Sequence, residues 1–148
     1  MSISSSIKEE ISLKKFKEKV INDFRTISLS RETSVQGRRE VLLGKGKFGI
    51  FGDGKELPQV VMSHFFKDGD YRSGYYRDQT LLMSQNLLSA REIFSAVYGH
   101  PDKVYEKMSV GRQMAGHFLT NTVDENNNWI DQTKQKNHIS DISPTASQ

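Results

Sequence analysis

The chain has 148 residues and a net charge of +3, with 35% hydrophobic residues, three prolines and no cysteine. That length suits one ordinary domain or a piece of a larger one, and the composition excludes collagen-like and linker-type chains. Without cysteine there is no disulfide, thiolate nucleophile or zinc–sulfur site, no apolar run approaches the ~18–20 residues that span a bilayer, and Met1 to Ser6 lacks the apolar core of a secretory signal, so a cytoplasmic address is expected.

Charge is uneven. Residues 1–47 hold 11 Lys/Arg against 6 Asp/Glu, and the remainder 10 against 12. Signs alternate closely through Lys14-Lys-Phe-Lys-Glu-Lys19, as on a solvated helix, and no aromatic or glycine-rich RNA-binding motif accompanies them. Neither nucleic acid nor membrane is expected as a partner.

Ser6-Ile-Lys-Glu9 is a capping-box pattern, and Ile7, Ile11, Phe16, Val20, Ile21 and Phe24 recur at mostly helical spacing, which predicts an amphipathic helix over residues 7–25. Residues 26–40 are mixed and polar. The glycine-dense block Gly44 to Gly54 reads as a loop or a short irregular strand pair. Glu56-Leu-Pro58 suits the first turn of a helix that carries Val60, Val61, His64 and Phe65 and ends at Asp68-Gly69. The aromatic and charged segment Asp70 to Asp78 follows, and Leu81-Leu82 begin another helix. Ser89-Ala-Arg-Glu92 is a second capping box, with Ile93, Phe94 and Val97 facing inward and Gly99 and Pro101 as the stop. Residues 119–148 are polar and predict no element of their own. His64 reads as a core-edge residue and His100 and His138 as exposed loop positions, and the four histidines have no metal-ligand spacing.

Three motifs fail on context. Gly44-Lys-Gly-Lys-Phe-Gly49 matches G-x-G-x-x-G but lacks a firm preceding strand and a following helix. Gly49-Ile-Phe-Gly-Asp-Gly-Lys55 matches the P-loop pattern, yet Glu56 stands where Ser or Thr must hold magnesium. Gly52-Asp-Gly54 has no suitably placed Asn after a strand, and reads as turn chemistry.

Taken in order, Gly74-Tyr-Tyr-Arg-Asp-Gln79, Leu81-Leu-Met83, a helix ending in Tyr98-Gly99, Gly111-Arg-Gln-Met-Ala-Gly-His-Phe118 and Ile142-Ser-Pro-Thr-Ala-Ser-Gln148 resemble a known family. It is the thiamine-diphosphate-dependent first (dehydrogenase) component, alpha subunit, of 2-oxoacid dehydrogenase complexes, of the branched-chain (2-oxoisovalerate) type. The resemblance covers roughly residues 30–148. It divides the chain into an N-terminal amphipathic helix, residues 1–29, and a partial thiamine diphosphate-binding domain, residues 30–148. The implied fold is α/β, of which this chain is the mainly helical, loop-rich N-terminal portion, truncated before most of the parallel sheet.

The resemblance implies an oxidoreductase that oxidatively decarboxylates a branched-chain 2-oxoacid and transfers the acyl group to lipoyllysine. Tyr76, Arg77, Ser143 and Thr145 would bind thiamine diphosphate. Arg77 suits a diphosphate because a guanidinium is a permanently charged donor fork. His117 and Gln113 would line the substrate mouth as the catalytic pair, since an imidazole there can donate to a developing oxyanion or to the substrate carboxylate. Potassium would be held by Ile142, Pro144, Ser147 and Gln148, largely through main-chain oxygens. The magnesium ligands and the activating glutamate would lie outside this chain. Expected partners are the beta part of the same dehydrogenase, the lipoyl acyltransferase component and the 2-oxoacid, in an oligomeric complete enzyme. The chain alone is expected to be inactive. The alternative reading is a non-catalytic binding module that uses the basic N-terminal helix.

Overall fold

The computed structural model describes residues 12–75, 77–112 and 118–140. The first helix, α1, spans Leu13–Leu42, and the Ser12 hydroxyl caps it by accepting from the Lys15 N–H at 3.4 Å. It is longer at its C-terminal end than periodicity predicts. Its buried residues are Ser30, Thr33, Ser34 and Gly37, so its inward stripe over residues 26–40 is small and polar rather than apolar. It runs unbroken through residues 29 and 30, and the capping box at Ser6 lies outside the described residues. Gly44, at φ +75°, ends it in a Schellman arrangement: the Lys45 N–H donates to the Glu40 carbonyl and the Gly44 N–H to the Val41 carbonyl, both at 3.0 Å. The apolar residues of its first half do not reach a core; Leu13, Phe16, Val20, Ile21 and Phe24 are all exposed.

The glycine block is an irregular loop, as expected. The second helix, α2, spans Glu56–Phe65, with Pro58 in its first turn. It is tied to α1 at both ends. Arg31 grips Glu56 through two bonds of 2.6 and 2.8 Å, and His64 Nε2 lies 2.9 Å from Asp23. Strand β1 follows at Tyr71–Gly74, then α3 at Gln79–Ser84 and α4 at Ala90–Val97. The capping box of α4 is present in full: Ser89 Oγ accepts from the Glu92 N–H at 3.2 Å, and Glu92 Oε2 accepts from the Ser89 N–H at 2.8 Å.

The polar segment after residue 119 is not featureless. A 3-10 turn at Gln132–Lys134 leads into β2 at Asn137–Ser140, and Leu119 and Val123 make isolated antiparallel bridges to Ile139 and Trp129. Strand β2 pairs in parallel with β1, from Tyr71 opposite Asn137 to Gly74 opposite Ser140. A parallel pair needs a long crossover, and α3 and α4 lie within it. The apolar centre is Leu82, Met83, Leu88 and Ile93, flanked by Phe51, Met108 and Phe118.

The described chain is thus a mostly helical, loop-rich domain with a small, open two-stranded parallel sheet. Among the described residues no helix is long and apolar enough to cross a membrane.

Candidate functional site

Both strands end at the same edge, Gly74 opposite Ser140. In parallel sheets, ligands collect at the carboxyl ends of the strands. At this edge β1 runs into the turn Tyr75–Asp78, which carries Arg77 and opens α3.

That turn and the start of α3 are held from four sides. Asp78 Oδ2 accepts from the Tyr75 N–H and from Arg72 Nη2, each at 2.6 Å, and the Asp78 N–H donates back to the Tyr75 carbonyl at 3.0 Å. From α2, the buried Gln59 donates Nε2 to the Arg77 carbonyl at 3.2 Å, while its Oε1 accepts from the Leu81 N–H at 3.0 Å. From the glycine loop, Gly52 presses so closely that a Cβ there would lie 2.2 Å from the Arg77 carbonyl oxygen. From α1, Ser30 and Ser34 accept from Gln79 Nε2 at 3.0 to 2.7 Å, and Ser30 and Thr80 share a 2.6 Å hydroxyl bond. Buried polar groups of this kind stabilise only when satisfied, and a satisfied network fixes one geometry. The Arg77 guanidinium carbon sits 6.0 Å from the Tyr75 ring centroid, within cation–π range.

The glycine loop is itself anchored. Glu56 accepts from the Gly54 N–H as well as from Arg31, and Arg38 pairs with Asp53. The Arg31 guanidinium lowers the Glu56 carboxyl below its ordinary range against the opposing pull of burial.

Next to the turn is a cavity of about 50 Å³, walled by Ile50, Phe51, Leu82, Ile93, Val97 and Phe118, with Arg72, Asp78 and His138 on its polar side. It has room for a few waters and is too small for a cofactor ring.

His138 departs from the sequence expectation. It is buried in β2 at 2% exposure rather than lying in an exposed loop. Its Nε2 lies 2.7 Å from Gln85 Oε1, and its ring packs on Phe66, with centroids 4.8 Å apart. Burial, aided by the Arg72 charge, lowers its pKa to about 4, so the ring is neutral.

Of the residues named from sequence, the structure describes Arg77. Tyr76, Gln113, His117, Ile142, Ser143, Pro144, Thr145, Ser147 and Gln148 lie outside the described residues. Among the described residues no group of three or more His, Asp or Glu side chains is placed to hold a metal ion. Sequence reasoning missed Gln59, Arg72, Asp78 and Gln79 as the supports of the turn. Asp78 and Gln79 stand inside the segment that carried the resemblance, which was the available signal.

No family model, no curated protein and no solved structure matches this chain.

Proposed function

We propose that this chain is the alpha-type part of a thiamine-diphosphate-dependent 2-oxoacid dehydrogenase of the branched-chain type. The observation that carries the reading is the clamped turn: Arg77 follows the carboxyl end of β1 with its carbonyl held by Gln59 and abutted by Gly52. A half-buried turn supported by a buried network, at the carboxyl end of a parallel strand pair, suits a pre-set anion contact. The parallel register supports it further, because β2 ends at Ser140, only three residues before Ser143 in sequence, at the edge where β1 delivers Arg77.

In this reading Arg77 holds the cofactor's diphosphate as a charged fork, with Tyr76 and Ser143 adding hydroxyl donors and Thr145 a backbone contact. Of the described residues Arg77 suits the diphosphate end of the cofactor, and the small cavity beside the turn does not fit its rings. When bound, thiamine diphosphate supplies the electron sink for removing CO₂ from a 2-oxoacid. His117 and Gln113 would line the substrate mouth, and the acyl group would go to the lipoyl group of the acyltransferase partner. Magnesium and the activating glutamate are contributed from outside these 148 residues, so the chain alone binds without turning over. The α/β cofactor fold, the cytoplasmic address, potassium at Ile142, Pro144, Ser147 and Gln148, and the oligomeric state all belong to this same proposal.

Calorimetric titration separates the parts of the reading. The chain should bind thiamine diphosphate more tightly than thiamine, which lacks the anion, and should release no CO₂ from 2-oxoisovalerate with Mg²⁺ present. Equal affinity for the two, or none for either, overturns the diphosphate contact. Salt-sensitive nucleic-acid binding in their place would favour a module built on the basic helix.

A further inference from the structure

Helix α2 lies antiparallel on α1, because Glu56 at its start meets Arg31 and His64 near its end meets Asp23. It thus reaches back along α1 to Asp23. N-terminal of that point α1 continues as an arm, residues 13–22, and every residue of the arm is exposed. Leu13, Phe16, Val20 and Phe24 recur at three- and four-residue spacing and fall on one line along it, with Ile21 beside the line. Leu13 is 68% exposed and Phe24 67%.

Helices draw most of their stability from packing an amphipathic face, and this face is bare. Its five apolar side chains expose on the order of 400 Å², the size at which an apolar patch marks an interaction site. That area suits one docked helix rather than a broad protein face. The charges that border the line favour one sign of partner. Lys14 and Lys17 run along one side and Lys19 along the other, while the acidic residue that flanks it, Asp23, already faces His64 at 2.9 Å. The first turn of α1 also holds Lys14 and Lys15 and no acidic residue, although the positive end of the helix dipole disfavours cations there.

We infer that the arm of α1 is a docking site for an acidic amphipathic helix of a partner protein. The apolar residues of that helix lie along Leu13, Phe16, Val20 and Phe24, and its Glu or Asp residues meet Lys14, Lys17 and Lys19 and offset the helix dipole. A second copy of this chain does not suit the site, because in either direction it sets these lysines against lysines. The inference does not depend on the function proposed above, and no residue of the arm belongs to the network around the Arg77 turn.

The test titrates the full chain, by fluorescence anisotropy, against a labelled synthetic amphipathic peptide with Leu on its apolar face and Glu on both flanks. A twin peptide with Lys in place of every flanking Glu is the comparison. The Glu-flanked peptide should bind at least tenfold more tightly than its twin. Val20→Asp, at an exposed position, should lose that binding while melting as wild type does, and Phe16→Ser serves if the Asp variant does not fold. Lys14→Glu, Lys17→Glu and Lys19→Glu together should transfer the preference to the Lys-flanked peptide. Binding of neither peptide, or of both equally, overturns the inference. A dimer of the chain alone that Val20→Asp dissolves overturns it in favour of a second copy. Binding to phosphatidylserine vesicles without binding to the Glu-flanked peptide overturns it in favour of a membrane surface.

Discussion

The side chain of Gln59 spans the turn that presents Arg77: its Nε2 donates to the Arg77 carbonyl at 3.2 Å, and its Oε1 accepts from the Leu81 N–H at 3.0 Å. One amide from α2 therefore closes two backbone groups of a segment about twenty positions further along the chain. Gln59→Ala leaves both buried groups without that partner, at about 1–3 kcal/mol each if unsatisfied. The variant should melt at least ~4 °C lower, read by thermal unfolding, and should hold thiamine diphosphate more weakly. Gln59→Glu keeps the acceptor for Leu81 but sets a carboxylate beside the Arg77 carbonyl and Asp78, and should be no better than Ala at neutral pH. A Gln59→Ala protein with unchanged melting and binding would mean that the turn holds itself.

Gly52 supplies the second support by being small. A methyl group there would meet the Arg77 carbonyl oxygen at 2.2 Å and its carbonyl carbon at 3.1 Å, both backbone atoms that no rotamer change can move. Gly52→Ala should destabilise the chain by about 1–3 kcal/mol through overpacking and displace the Arg77 turn. Gly44→Asn is the control, since Gly44 has φ +75° with open space around it and Asn tolerates that conformation. Equal urea midpoints for Gly52→Ala and the control would contradict the close approach.

His138 makes stability depend on acid. Burial lowers its folded pKa to about 4, whereas an unfolded chain has it near 6.5. Below pH 6.5 the unfolded chain takes up a proton that the folded chain refuses, so stability is full above 6.5 and declines as pH falls toward 4. The slope approaches about 1.4 kcal/mol per pH unit, for a total of about 3 kcal/mol. Glu56 and Glu106, held low by their donors, give up their contributions only at lower pH, as each is protonated through its depressed folded value. The window from pH 6.5 to 4.5 therefore reports His138. His138→Gln should flatten urea-unfolding stability across that window, and an unaltered slope would assign the acid sensitivity elsewhere.

What could be read from sequence depended on whether the signal was local. The α4 cap was legible because Ser89 and Glu92 sit at fixed spacing and satisfy each other. The second half of α1 was not, because Ser30, Ser34 and Gly37 form a buried stripe that hydrophobic periodicity does not register. Strand β2 was hidden for a related reason. Asn137 and His138 are polar, and they are buried only because Asp70, Gln132 and Gln85 meet their hydrogen bonds. The same tertiary contacts explain the misreading of His138 as exposed. Arg77 was singled out through its resemblance to a family motif. Its support from Gln59 and Gly52 is a long-range arrangement with no local pattern, so only the fold could reveal it.

The central claim is that the clamped turn presents Arg77 to a diphosphate. Its most direct test is the dissociation constant of thiamine diphosphate for the full chain and for Arg77→Gln, measured side by side with matched thermal melts. A lost charge-assisted contact is worth about 1.5–3 kcal/mol, so the variant should bind at least tenfold more weakly while folding as well as wild type. Equal affinity in the two proteins, or no binding in either, would contradict the account.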